Sequence, residues 1–436
     1  MNVRAIALEV LLKSERSAQY SNIAVDNAIN KNGLDAKDAS LLSVLVYGVI
    51  ERKITLDYII DSLSSISPSK IELSTRIILR MGLYQLIYLD RIPAHAAINE
   101  SVELAGKRSR GFVNAILRSY TRKKDEIEFP KKEVDLIKYL SVTYSVPEVL
   151  CFEFLENFDT AEKTENVLRA FAESPRTTLR TNTLKISRDE LLSRLTIKGI
   201  EAEKTPYSPY GITVSGTSVN ELFLEDGLCF VQDEASQICV SALGAKKGDL
   251  VMDICACPGS KSFGAAIEME NEGGVLSFDL HENKLSLVKS GAKRLSIDII
   301  KTCAHDGRDF MPEYESKADK IICDVPCSGF GVIAKKPEIR YKDPKESAGL
   351  PTIQYDILNT ASRYLKAGGT LVYSTCTLLK RENEDTINKF LAEHENFKLQ
   401  GFYLGDKFIE GGMLTLDPHA YKTDGFFIAK LQKTNE

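Results

Sequence analysis

From residue 248 onward, short β-favouring runs alternate with helical stretches. Strands are predicted at 249–254, 274–279, 298–304, 319–324 and 369–374, and helices at 260–270, 282–294, 352–365 and 383–394. This alternation confines the region to an α/β fold. Parallel strands can be joined only by crossovers, and crossover helices cover both faces of the sheet. A doubly wound, Rossmann-like parallel sheet is expected, with 425–431 as one more β-like segment completing it.

The rest of the chain reads differently. Residues 1–124 are predicted to be all helix. Val3, Ile6, Ala7, Val10 and Leu11 recur at helical spacing, as do Leu41, Leu42, Leu45 and Val49, and Ile78, Leu79, Leu83, Leu86 and Ile87. The charged stretch 123–132 has no periodicity and contains Pro130, which marks a boundary; 133–172 returns to helix. Residues 175–230 form a small α+β module. Arg176 to Asn182 favours a strand, 187–198 a helix, and 201–215 short strands with turns at Pro206, Pro209 and Gly211. At 436 residues the chain exceeds one ordinary core. The expected division is an all-α domain at 1–128, a helical linker and small module at 129–230, and the α/β domain at 231–436.

Composition narrows the class. No run of eighteen apolar residues occurs, so no membrane span is expected. The first residues read as an amphipathic helix rather than a signal peptide, and a cytoplasmic protein is the expectation. The nine cysteines are odd in number and include no Cys-x-x-Cys pair, and the five histidines show no ligand spacing. Free thiols are expected, with no metal site. Net charge is −5, yet residues 1–124 carry +6 and the remainder −11. That asymmetry permits a nucleic-acid contact through the N-terminal part. The basic stretch 106–111, and Lys335, Lys336 and Arg340, read either as phosphate contacts or as ordinary solvated loops.

The chemistry concentrates at three strand ends. The first is Asp-Ile-Cys-Ala-Cys-Pro-Gly-Ser-Lys (253–261), a turn whose following helix N-terminus can face a ligand. Asp279 ends the next strand, 20 residues after Gly259, the spacing at which an acid accepts ribose hydroxyls. Asp306 follows the third strand, within reach of an adenine. A P-loop is excluded because Cys255 and Ser260 occupy its two glycine positions, and no Gly-x-Gly-x-x-Gly occurs. An adenosine-type cofactor without a polyphosphate fits, which points to S-adenosylmethionine.

The other two strand ends carry thiols: Cys327 in Asp-Val-Pro-Cys-Ser-Gly (324–329), and Cys376 in Tyr-Ser-Thr-Cys-Thr (373–377). C5 of a pyrimidine is a poor nucleophile. A thiolate adding to C6 makes C5 enamine-like and able to attack a methyl group. A second acid/base then assists loss of the C5 proton and expulsion of the thiol. Asp324 is placed to hydrogen-bond the N3/N4 edge of a cytosine. Either cysteine could be the nucleophile on this chemistry alone.

These three motifs resemble those of RNA (cytosine-5) methyltransferases. Arg-Ile-Pro-Ala-His-Ala-Ala-Ile-Asn-Glu-Ser-Val-Glu-Leu-Ala (91–105) and Gly-Phe-Val-Asn-Ala-Ile-Leu-Arg (111–118) resemble the helical RNA-binding domain of NusB. The combination, across nearly the whole chain, is similar to the bacterial 16S ribosomal RNA (cytosine-5) methyltransferase B family. The resemblance implies a NusB-like domain, an RRM-like RNA-facing module and a class I methyltransferase sheet. It implies an enzyme methylating C5 of a cytosine in 16S ribosomal RNA, free or in an early small-subunit particle. It makes Cys376 the nucleophile and Cys327 the group that assists release. S-adenosylmethionine would be held by Cys255, Ala256, Cys257, Pro258, Gly259, Ser260, Lys261, Asp279, Asp306 and Asp324. A monomer is expected. The family form of the turn is Cys-Ala-Ala-Pro-Gly-Gly-Lys, so Cys257 and Ser260 depart from it. Two alternatives are a transfer RNA cytosine-5 methyltransferase and a catalytically retired RNA-binding protein.

Overall fold

The computed structural model describes residues 2–16, 21–215 and 222–434; positions 216–221 of the small module lie outside them. The chain divides into two units, Met1–Glu173 with Ile333–Pro344, and Ser174–Val332 with Lys345–Glu436.

In the first unit the helical periodicities become buried stripes. Val3, Ile6, Ala7, Val10 and Leu11 are the buried face of helix Val3–Arg16 and join Leu42, Leu45, Val46 and Val49 in one core. A second core gathers Leu56, Ile60, Leu79, Leu83, Val113 and Leu117. Arg80 is buried and ties three helices together, taking Asp57 at 2.7 Å and Glu15 at 2.8 Å. The basic turn at 106–111 is mostly solvent-exposed before helix Arg110–Lys123. Helices Leu136–Tyr144, Glu148–Asn157 and Ala161–Ala170 follow.

The unit is completed from far along the chain. Residues 333–344 contribute a single 3-10 turn, Pro337–Tyr341, in which Arg340 is fully buried. Its guanidinium donates to the carbonyls of Glu51 at 2.8 Å, Pro337 at 3.1 Å and Ser145 at 3.3 Å. The Tyr341 hydroxyl donates to the Ile50 carbonyl at 2.6 Å. Glu51 and Ser145 lie at helix C-terminal ends, where carbonyls lack helical partners and attract a cation. The expectation for Arg340 is thereby corrected. It neither meets phosphates nor sits in a solvated loop; it satisfies buried carbonyls.

The second unit begins with an antiparallel sheet of β1 (Thr177–Thr181), β2 (Glu201–Lys204), β3 (Gly211–Ser215) and β4 (Cys229–Val231), in the order β2-β3-β1-β4. Helix Arg188–Ile197 packs Leu191 and Leu195 on Leu179, Ile212 and Val214. Arg180, in β1, points the other way. It is fully buried and bonds Glu268 at 2.8 Å, so this module is joined to helix Ser260–Glu268.

The main sheet contains β5 (Leu250–Asp253), β6 (Gly274–Asp279), β7 (Ile300–Ala304), β8 (Ala318–Asp324) and β9 (Leu365–Thr375), all parallel. The expected parallel core is present, but the sheet is mixed. After β10 (Phe397–Leu399), the hairpin β11 (Phe402–Leu404) and β12 (Lys407–Ile409), and β13 (Met413–Leu416), the last strand β14 (Phe426–Lys433) pairs antiparallel with β9. The order is β10-β14-β9-β8-β5-β6-β7, with β13 on β14. The chain moves outward from β5 to β7 and then returns to β8 on the other side of β5. A crevice therefore opens at the carboxyl ends of β5 and β8, where such sheets bind ligands. Among the described residues no helix is long and apolar enough to cross a membrane.

Candidate active site

The turn after β5 is held from several sides. Asp253 is buried, accepts the Ser262 hydroxyl at 2.6 Å and is pushed up to about 7, chiefly by burial. The Cys257 amide donates to Asp279 at the end of β6, at 3.2 Å, and the His281 amide to its other oxygen at 3.0 Å. Gln232, just past β4, donates to the Ser260 carbonyl at 3.1 Å. Gly259 has φ +112°, and a Cβ there would lie 2.6 Å from the Phe263 ring, so this position favours glycine. Ser260 opens helix Ser260–Glu268 and is not among the residues with positive φ. The side chain at this departure from the family form is therefore accommodated in an ordinary helical start. Burial and the neighbouring Asp279 push the Cys257 thiol up to about 12, and burial does the same more strongly to Cys255. Neither is built as a thiolate nucleophile.

Asp306 follows β7. Arg308 forks its carboxylate at 2.6–3.2 Å and holds it down to about 2. Lys261 lies in the first turn of helix Ser260–Glu268. Its ammonium bonds Asp324 at 2.5 Å; burial opposes its charge, but the Asp324 carboxylate more than offsets this and keeps the lysine protonated. The other Asp324 oxygen accepts the Ser374 hydroxyl at 2.7 Å. Asp324 is thus fixed in rotation by one bond on each oxygen while remaining partly exposed.

The parallel register places Asp324 opposite Ser374, so the two thiol-bearing turns leave adjacent strands at the same level. The sulfurs of Cys327 and Cys376 are 3.0 Å apart, and the Cys376 amide donates to the Cys327 sulfur at 3.3 Å. Both are free cysteines and partly accessible. The Cys327 thiol is pushed well up, first by its hydrogen bond with Cys376, then by burial and by the Cys376 charge. Gly331 fastens the turn beyond Cys327: its amide donates to the Cys376 carbonyl at 2.9 Å and its carbonyl accepts the Gly425 amide at 2.8 Å.

The structure therefore brings together the three catalytic candidates, Asp324, Cys327 and Cys376, with Lys261. The turn 255–260 and Asp279 gather at the β5–β6 ends, and Asp306 lies at the end of β7. Sequence reasoning missed Ser374 and the part Lys261 takes beside Asp324. It also missed Gln354, Glu382 and Asn383, which are buried and bond to the residues flanking the two cysteines. The available signal was an adjacent Glu-Asn pair where helix 383–394 was predicted to begin, polar residues with no solvent to face.

Known proteins resemble the chain along its length. The 16S rRNA methyltransferase RsmB/F family model matches residues 240–432, the NusB family model residues 1–122, and the ferredoxin-like domain model of RsmF/B-like methyltransferases residues 147–220. The probable ribosomal RNA small subunit methyltransferase B of Bacillus subtilis (strain 168) is 39% identical, with 99% of each chain covered. The protein of that name from Synechocystis sp. is 34% identical over 99% of this chain and 100% of its own. The crystal structure of PH0851 superposes with a TM-score of 0.80 at 27% identity, covering 99% of this chain and 98% of that one.

Proposed function

The chain belongs to the 16S rRNA methyltransferase RsmB/F family and is an RNA methyltransferase; from that premise we propose that it methylates C5 of one cytosine in 16S ribosomal RNA through a covalent adduct with Cys376. The observation that carries this reading is the pair of sulfurs 3.0 Å apart beside an Asp324 held by Lys261 and Ser374. An enzyme that methylated an already nucleophilic nitrogen or oxygen would have no use for two thiols at one strand edge.

S-adenosylmethionine fits the turn. A positive-φ glycine brings backbone close to a ligand, a helix begins there, and Asp279 offers carboxylate oxygens at the adjacent strand end. Cys255, Ala256, Cys257, Pro258, Gly259 and Ser260 would form its cradle, with Asp279 on the ribose and Asp306 near the base; when bound, it supplies an electrophilic methyl group. Lys261 and Asp324 would complete that cradle, with Asp324 also facing the substrate base.

On the substrate, the Cys376 thiolate forms a bond to C6 and the ring electrons shift toward C5. Asp324, anchored on both oxygens, accepts a hydrogen bond from the exocyclic amine of the cytosine and so orients the ring for attack. After C5 gains its methyl group, Cys327, having given its own proton to solvent, takes the C5 proton as a thiolate, the C–H electrons restore the C5–C6 double bond, and the Cys376 sulfur leaves as a thiolate. The causes of the high Cys327 pKa support this order. Two of its three largest causes are the hydrogen bond and charge of Cys376. The Cys376 charge is gone once its sulfur is bonded to carbon, which eases loss of the Cys327 proton after the adduct forms, while burial continues to oppose it. The helical unit and small module would present 16S RNA, free or in an early particle, to a monomeric enzyme.

The test is bisulfite sequencing of ribosomal and transfer RNA from a strain lacking the gene, with restoration by the purified enzyme and S-adenosylmethionine. Loss of a single protected cytosine in 16S RNA is expected. Loss in transfer RNA alone moves the substrate, and no change in either RNA sinks the C5 reading.

A further inference from the structure

Glu382 and Asn383 are adjacent, fully buried, and each brackets a different cysteine. The Glu382 carboxylate accepts the Ser328 amide at 3.0 Å and the Gln354 side-chain amide at 2.8 Å. That same Gln354 nitrogen donates to the Pro326 carbonyl at 2.9 Å. The backbone immediately before and immediately after Cys327 is thus held by one carboxylate–carboxamide pair. The Asn383 carboxamide does the equivalent around Cys376: its oxygen accepts the Thr375 hydroxyl at 2.5 Å and its nitrogen donates to the Thr377 carbonyl at 3.0 Å. None of the three side chains is bonded to either sulfur. A cross-tie between Ser328 and Thr377 hydroxyls, at 2.8 Å, links the two brackets.

Two observations set this apart from ordinary stabilisation. Asn383 occupies the N-cap of helix Glu384–Glu393, where asparagine normally caps the first turn, yet its side chain makes no cap bond and is committed to Thr375 and Thr377 instead. Glu382 and Gln354 each keep one buried oxygen without a partner. Leaving such acceptors unpaired costs stability, so the bracket carries a cost beside the bonds it makes.

We propose that Glu382 and Asn383, with Gln354, are positioning residues that set the two reacting thiols independently, Glu382–Gln354 aiming Cys327 and Asn383 aiming Cys376. This rests on the thiol roles given above. Loosening one bracket should impair one half-reaction and spare the other.

The experiment uses the full-length protein and two readouts. Gln354→Met and Glu382→Gln loosen the first bracket; Asn383→Ala and, more mildly, Thr375→Val loosen the second. In the first readout, alkylation of each cysteine by iodoacetamide is followed by mass spectrometry across pH, without RNA. A change of about tenfold at Cys327 alone is expected for the first pair, and at Cys376 alone for the second. In the second, the covalent RNA adduct is timed. The first pair should release it slowly, like Cys327→Ala, and the second should form it slowly. Equal effects on both cysteines, or on neither, in variants with unchanged circular dichroism overturn the proposal. Cysteine-specific alkylation changes without an adduct in any variant, Cys327→Ala included, would leave the brackets standing and remove the adduct mechanism.

Discussion

Cys376 donates its backbone amide to the sulfur of Cys327, and the two sulfurs stand 3.0 Å apart without a bond. Two free thiols this close are one oxidation away from a disulfide. Diamide, accepting two electrons and two protons from the pair, should abolish methylation, and dithiothreitol should restore it. Mass spectrometry should find the Cys327–Cys376 crosslink. Inactivation without that crosslink would contradict the placement of the sulfurs.

Assigning attack to Cys376 makes the single-cysteine variants unequal. Cys376→Ala should abolish both turnover and adduct. Cys327→Ala should give a slow-release RNA complex visible as a shifted gel band. The reverse pattern would exchange the two roles.

Lys261 and Asp324 form a largely buried pair. Lys261→Met strands the Asp324 carboxylate. A loss of about 2 kcal/mol is expected, the partial exposure of Asp324 reducing the cost of a broken buried pair. A fall in kcat of about 100-fold should accompany it, because the base contact loses its anchor. Denaturant melts and single-turnover rates check the two separately.

Asp253 gives a pH signature in stability. Its folded pKa, about 7, lies above its ordinary value of 3.8. Folding therefore takes up a proton between these values. The contribution is fully present below about pH 4, falls as pH rises toward 7, and is flat above it. Asp253→Asn should flatten that decline and raise Tm relative to wild type at pH 8. A parallel pH–Tm curve for the variant would show that another group is responsible.

Arg340 is predicted to be a stability residue of the helical unit. Arg340→Ala leaves carbonyls at two helix ends unsatisfied and should cost about 3 kcal/mol. Lysine should rescue it poorly, since one ammonium cannot span the same carbonyls. RNA affinity measured well below the melting transition should be nearly unchanged, which a phosphate contact would not allow.

The periodic helices of the first unit and the strand ends of the second were legible because burial writes itself into hydrophobic spacing. Val3, Ile6 and Val10 face inward as their spacing requires, and β5 to β9 fall where the β-favouring runs lie. The strand-end placement of Asp324, Cys327 and Cys376 was legible because polar residues there stand out against apolar runs. The partner of Lys261 was not legible: its place in the turn gave no sign that its length lets it reach Asp324. Arg340 and Asn383 were illegible for a common reason. Each looks like a surface polar residue, and each is buried by partners distant in sequence or by an unused capping site, neither of which periodicity encodes.

The return of residues 333–344 to the helical unit has a consequence for biosynthesis. A ribosome makes the described N-terminal helices long before Arg340, so the Glu51 carbonyl lacks its Arg340 donor while β5 to β8 emerge. Domains ordinarily mature in the order of their synthesis. Here the first to appear is the one that must stay unfinished, and a nascent chain stalled before residue 333 would carry a helical unit missing its last fastening.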